Sequence, residues 1–138
     1  MSAGNAWERV HTVEVFFDQP RKGFADYHGH PHVFASEWDE GADDYGSTYL
    51  LLPVSEDQLA LAKENWAIFE RWLAAHHEGS LTPDDKHPAL AADRSRYDEL
   101  GPLVEEALTL DEGSATRATA EFRGGFAPLD LWVCWRDV

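Results

Sequence analysis

The sequence predicts an α+β fold: an antiparallel sheet built from N- and C-terminal strands, packed against a long central helix and one or two shorter helices. Three observations carry this expectation. Residues 55–79 hold apolar side chains at helical spacing. The segments on either side alternate apolar and polar residues, as half-buried strands do. Strand runs flanking a helical middle argue for an antiparallel sheet with the helices covering one face. A chain of 138 residues fits a single domain spanning 1–138 and is long enough to bury a core.

Residues 1–6 are small and polar and are expected to fray. From Trp7 to Phe17 the chain partly alternates, with His11, Val13, Val15 and Phe17 on one strand face and Val10, Thr12, Glu14 and Phe16 on the other. Residues 18–23, with Pro20 and Gly23, read as a turn. Next, Gly29 after His28 supplies the positive φ of a two-residue hairpin turn. That turn pairs Tyr27 with His30, Ala25 with His32 and Phe24 with Val33. It places Tyr27, His30, His32 and Phe34 on one face, and puts Pro31 at an edge or bulge.

Residues 37–46 carry five acids and no base and read as a loop. The run STYLLLPV then gives a short apolar strand leading into the central helix. Ser55 and Gln58 match a capping box, and Glu56 and Asp57 put negative charge where the helix dipole favours it. Leu59, Ala62, Trp66, Phe69, Leu73 and His76 recur at the helical period, and Leu61, Ile68, Trp72 and Ala75 widen the stripe. Gly79 is the expected C-terminal stop, with His76 and His77 in the last turn.

Thr82 and Pro83 suit the opening of a short turn. Residues 89–110 are mostly helix formers with one apolar face, interrupted at Gly101-Pro102, where a kink or two short helices are expected. Thr116, Ala118, Ala120 and Phe122 alternate with polar neighbours, a turn follows, and Leu129, Leu131, Val133 and Trp135 alternate with Asp130, Trp132, Cys134 and Arg136. Both faces of this last strand are partly apolar, so it is expected inside the sheet.

The 26 acidic and 11 basic residues leave a net charge of −15. That balance argues against nucleic acid or an anionic membrane as partner, because phosphate binding needs Lys and Arg. It favours solubility and can steer a basic protein. Cys134, the only cysteine, sits in an apolar run and reads as a buried small hydrophobe, with no intramolecular disulfide to form. Residues 1–20 lack the continuous apolar stretch of a signal peptide, and the longest apolar run is too short to span a bilayer, so a cytoplasmic protein is expected.

Two stretches are candidates for chemistry. In His28-Gly29-His30-Pro31-His32, imidazole is a common metal ligand, and His30 and His32 share a face of the hairpin. A third ligand would come from His11, His76, His77, His87 or a carboxylate. The spacing matches no zinc signature, so no cofactor is the first expectation and a divalent metal at His30 and His32 the alternative. The acidic loop, with Asp39, Glu40, Asp43 and Asp44, lacks the order of a calcium-binding helix–loop–helix site. No G-x-S-x-G elbow, phosphate-binding loop or dinucleotide fingerprint occurs.

These observations support a non-catalytic, acidic protein-binding domain, inhibitor-like or immunity-like, with a basic protein as partner. Tyr27, His28, Asp39, Glu40, Asp43, Asp44, Trp66 and Trp72 are the candidate partner or ligand surface. A metal-dependent hydrolase built on the histidine stretch is one alternative. A small-ligand pocket between helix and sheet, lined by Trp66 or Trp72, is another. No catalytic residue is assigned.

Overall fold

The computed structural model describes residues 6–77, 89–126 and 129–138. Four strands come first: β1 (Trp7–Phe17), β2 (Gln19–Tyr27), β3 (His30–Asp39) and β4 (Asp44–Pro53). Helix α1 (Glu56–His77) follows, then a single 3-10 turn (Ala91–Asp93) running into α2 (Arg94–Ala107), and the strands β5 (Thr116–Phe126) and β6 (Leu129–Asp137). The six strands form a closed barrel in sequence order, each antiparallel to its neighbours, with β6 returning to β1.

This closure overturns the expected open sheet packed on a central helix. The physical reason lies in the middle strands, which are apolar on both faces. Phe24 and Ala25 are adjacent and both buried, as are Val33 and Phe34. An open sheet with helices on one face would leave the other apolar face in water. Rolling the sheet up buries that face and removes the strand edges as well.

Inside the barrel, Phe34, Tyr49, Phe122 and Trp135 form a tetrad in which every pair of ring centroids lies between 5.7 and 6.1 Å. Rings at such distances, tilted or edge-on, fill space with favourable quadrupole contacts. Val10, Ala25, Leu51, Ala118 and Val133 complete the interior. Two hydrogen bonds cross it between strands that are not neighbours. The Tyr49 hydroxyl donates to the Pro20 carbonyl at 2.6 Å, and the Trp135 indole donates to the Asp26 carbonyl at 2.9 Å.

The helices cover the outside. Leu59 and Ala62 of α1, with Val104 and Ala107 of α2, bury Phe24 and Val33 on the outer faces of β2 and β3. Further along α1, Trp66 and Phe69 reach the core beside β1. The capping box forms as expected: Gln58 N–H donates to Ser55 Oγ at 3.1 Å, and Ser55 N–H donates to Gln58 Oε1 at 2.9 Å. Arg96 forks onto Glu64, with bonds of 2.6 and 2.8 Å, and Arg71 onto Asp93, with bonds of 2.9 and 3.0 Å. Both exposed pairs tie α2 and the turn before it to α1. Of the kink or two short helices expected at Gly101-Pro102, the second does not occur: α2 runs through Pro102 as one helix. Gly101 has no Cβ to meet the proline ring, so the usual conflict before proline is relieved. Gly79, Thr82, Pro83 and His87 lie outside the described residues.

The strands also extend further than the sequence suggests. Only Asp18, at a φ of 65°, interrupts β1 and β2, so most of the expected 18–23 turn is strand. Gly23 permits this: a Cβ there would collide with the Thr12 carbonyl. Likewise, the expected acidic loop over 37–46 shrinks to residues 40–43, because Trp38 pairs with Tyr45 and Asp39 with Asp44. The β2–β3 hairpin has the expected register, with Tyr27 opposite His30 and Phe24 opposite Val33. Its two turn residues have φ of 54° at His28 and 76° at Gly29. Cys134 is buried, as expected.

Candidate interaction surface at the barrel mouth

The up-and-down order brings the tips of the β1–β2, β3–β4 and β5–β6 hairpins to one end of the barrel. Two of these tips carry aromatic side chains where polar turn residues are the norm. Phe16, Phe17 and Trp38 are each about half exposed, at 49%, 53% and 52%. The Phe17 and Tyr45 rings are 6.1 Å apart, and Trp38 meets Tyr45 edge-on at 5.2 Å. Val15, also exposed, extends the patch along β1. Clustered exposed apolar groups of this kind mark interaction sites more often than isolated ones do.

The patch is fixed from beneath by Arg21. Its guanidinium lies 5.0 Å over the Tyr45 ring, donates to the Phe17 carbonyl at 2.9 Å and reaches Ser36 Oγ and the Gly46 carbonyl at 3.3 and 3.4 Å. All of these acceptors are neutral. The carboxylates of Asp18, Asp39, Glu40, Asp43 and Asp44 surround the patch, and none makes an ion pair with a described Lys, Arg or His. Asp39 accepts from the amides of Gly41 and Ala42 at 3.0 and 3.3 Å, and Asp44 from the Tyr45 amide at 2.7 Å, so both also shape the tip. Arg117 on β5 pairs with Glu37 at 3.1 Å.

Beside Phe16 the mouth is concave, with a cavity of about 480 Å³ bounded by Asp18, Gln19, Phe122 and Leu131. Phe122, from the aromatic tetrad, forms part of its wall. Gln19 Nε2 donates to the Tyr49 hydroxyl at 2.8 Å next to it. Burial pushes the Tyr49 phenol above its usual value, while Gln19 and Arg21 pull it the other way. The arrangement offers apolar ring faces, unpaired carboxylates and a slot of side-chain size. It suits the recognition of cationic groups, which aromatic faces and carboxylates both attract.

The sequence-predicted residues divide among three places. Asp39, Glu40, Asp43 and Asp44 are at the mouth. Tyr27, His28, His30 and His32 gather at the opposite end, where the Tyr27 ring lies 4.1 Å from His28 and 5.2 Å from His32. There the Glu8 carboxylate accepts the amides of His28 and Gly29, at 3.1 and 2.7 Å, and His32 Nδ1 lies 2.8 Å from the His30 carbonyl. Among the described residues no group of three or more His, Cys, Asp or Glu is placed to hold a metal ion. The side chains of His76 and His77 fall outside the described set. Trp66 and Trp72 are on α1, each close to Phe69, with ring centroids 5.2 and 6.0 Å from it.

Sequence reasoning missed Phe16, Phe17, Trp38 and Tyr45. The available signal was two consecutive phenylalanines immediately before the Asp18 turn, a place where strand ends are usually polar. No helix among the described residues is long and apolar enough to cross a membrane. No protein-family model, curated protein or solved structure matches the chain.

Proposed function

We propose that this protein is a non-catalytic binding domain that docks a basic partner protein at the mouth of its barrel. The observation that supports this reading is the exposed Phe16, Phe17 and Trp38 group set among the carboxylates of Asp18, Asp39, Glu40, Asp43 and Asp44, which have no cationic partner among the described residues. Large aromatic side chains contribute the strongly bound centre of many interfaces. The surrounding acids repel one another in the free protein, and a basic partner relieves that repulsion while being steered by the −15 net charge. An inhibitor-like or immunity-like role, in which the acidic mouth masks a basic surface, is one concrete form.

The test compares affinity capture from the native host by the wild-type protein and by Phe17→Ser/Trp38→Ser. A basic protein retained by the wild type, released by moderate salt and absent from the variant supports the proposal. Identical retention by both proteins, or an acidic protein as the only specific partner, contradicts it.

A further inference from the structure

Strand β1 contains two bulges, each leaving one residue without a partner on β2. His11 falls between the Val10–Ala25 and Thr12–Phe24 pairs, and Glu14 between the Val13–Gly23 and Val15–Lys22 pairs. Bulges re-aim side chains and recur beside binding sites. Here they place two titratable groups at the cavities on either side of Trp66. His11 lines a cavity of about 300 Å³ with Lys63, Glu70 and Leu129, and its Nε2 lies 2.9 Å from Asp26 Oδ1.

Glu14 lines the other cavity, of about 220 Å³, with Val13, Asn65, Trp66, Phe69 and Tyr97. Three of these side chains carry a buried polar atom with no hydrogen-bond partner: Glu14 Oε2, Asn65 Oδ1 and the Trp66 indole nitrogen. Unsatisfied buried groups are few in native proteins, and each calls for an explanation. All three belong to side chains that line this cavity; the atoms themselves are covered, so an occupant that satisfies them together shifts those side chains as it enters.

The chemistry of the walls says what that occupant is. A carboxylate and an amide oxygen accept hydrogen bonds, and the indole donates one. Trp66, Phe69 and Tyr97 surround them with ring faces that attract cations. A cavity of about 150 Å³ holds benzene, so in proportion this one admits a body of roughly eight to ten non-hydrogen atoms.

We propose that the pocket between β1, α1 and α2 binds a small organic cation, an ammonium group on a compact aromatic or apolar body. Glu14 and Asn65 accept from the ammonium group, and the Trp66 indole donates to an oxygen elsewhere on the ligand. This site is separate from the barrel mouth and does not depend on the protein-docking proposal. Burial raises the Glu14 carboxyl, with the Thr12 hydroxyl and the Lys22 charge pulling the other way.

The test follows the Trp66 indole N–H resonance, identified by its loss in Trp66→Phe, during titration with four probes. Tyramine and phenethylamine are the cations, para-ethylphenol is the neutral analogue and phenylpropanoate the anionic one. Saturable shifts with the cations, with para-ethylphenol and phenylpropanoate weaker by about tenfold or more, are the expected result. Tyramine is expected to bind more tightly than phenethylamine, and Glu14→Gln to weaken both. No saturable shift with either cation means the cavity holds water only and overturns the proposal. So does equal binding of the cations and the neutral analogue, or cation binding unchanged by Glu14→Gln. If Glu14→Gln does not fold, the wild-type probe series decides alone.

Discussion

The Tyr49 hydroxyl donates a 2.6 Å hydrogen bond to the Pro20 carbonyl, joining β4 to β2 across the interior of the barrel and passing over β3. The same hydroxyl accepts from Gln19 at 2.8 Å. One buried group therefore positions the start of β2, which carries the mouth between Asp18 and Arg21. Tyr49→Phe keeps the ring in the tetrad and removes only the oxygen, leaving the Pro20 carbonyl and the Gln19 amide short of a partner. The expected cost is about 1–3 kcal/mol in urea denaturation. Amide exchange should also speed up at Gln19 and Arg21 more than at the β2–β3 turn.

Glu14 gives a pH signature. Burial holds its carboxyl above the usual 4.5, outweighing the opposing effects of Thr12 and Lys22. The folded chain then keeps this proton more tightly than the unfolded chain does. The stability that the protonated group contributes is complete below the unfolded value and is lost as pH rises through the folded one. Glu14→Gln has no such loss. The variant should gain stability relative to wild type as pH rises from about 4 toward neutrality, measured by denaturation at each pH. A difference independent of pH contradicts this account.

Two glycines should respond in opposite ways to alanine. At Gly23 a Cβ runs into the Thr12 backbone. Gly23→Ala should cost about 1–3 kcal/mol, because backbone cannot give way as a side-chain tip can. At Gly125, by contrast, a Cβ meets nothing within 4 Å. Gly125→Ala should be neutral or stabilise by about 0.4–1 kcal/mol through the unfolded chain. Thermal unfolding of the two variants side by side checks both expectations.

The cap of α1 supplies a further prediction. Ser55 and Gln58 satisfy each other's backbone amides. Ser55→Ala should destabilise the protein by about 1 kcal/mol, and Ser55→Asp should restore most of that loss. Helix ends elsewhere are unaffected, so the loss should be visible as faster amide exchange in the first turn of α1.

Local signals were legible in the sequence, and the closure was not. The His28-Gly29 turn fixes its own register, and the Ser55–Gln58 box marks its own helix, since the interacting residues are close in the chain. Closure depends on Trp7, Glu8 and Arg9 meeting Cys134, Val133 and Trp132, at a separation no periodicity can report. The bulges at His11 and Glu14 shift the alternation of β1 midway, so a strict two-residue pattern assigns its faces wrongly. Pro20 and Gly23 imitate a turn inside β2. The acids at the mouth stand out by composition alone. Their aromatic companions on β1 and β4 become neighbours only once the hairpins stand side by side.

The most direct test of the docking account is a backbone amide and indole shift map of the isotopically labelled protein titrated with an arginine-rich peptide. The account predicts saturable shifts confined to Phe16–Asp18 and Trp38–Tyr45, including the Trp38 indole, that disappear in Phe17→Ser/Trp38→Ser. Shifts centred instead on the His28–His32 end, or scattered over every acidic surface and unchanged in that variant, would contradict it.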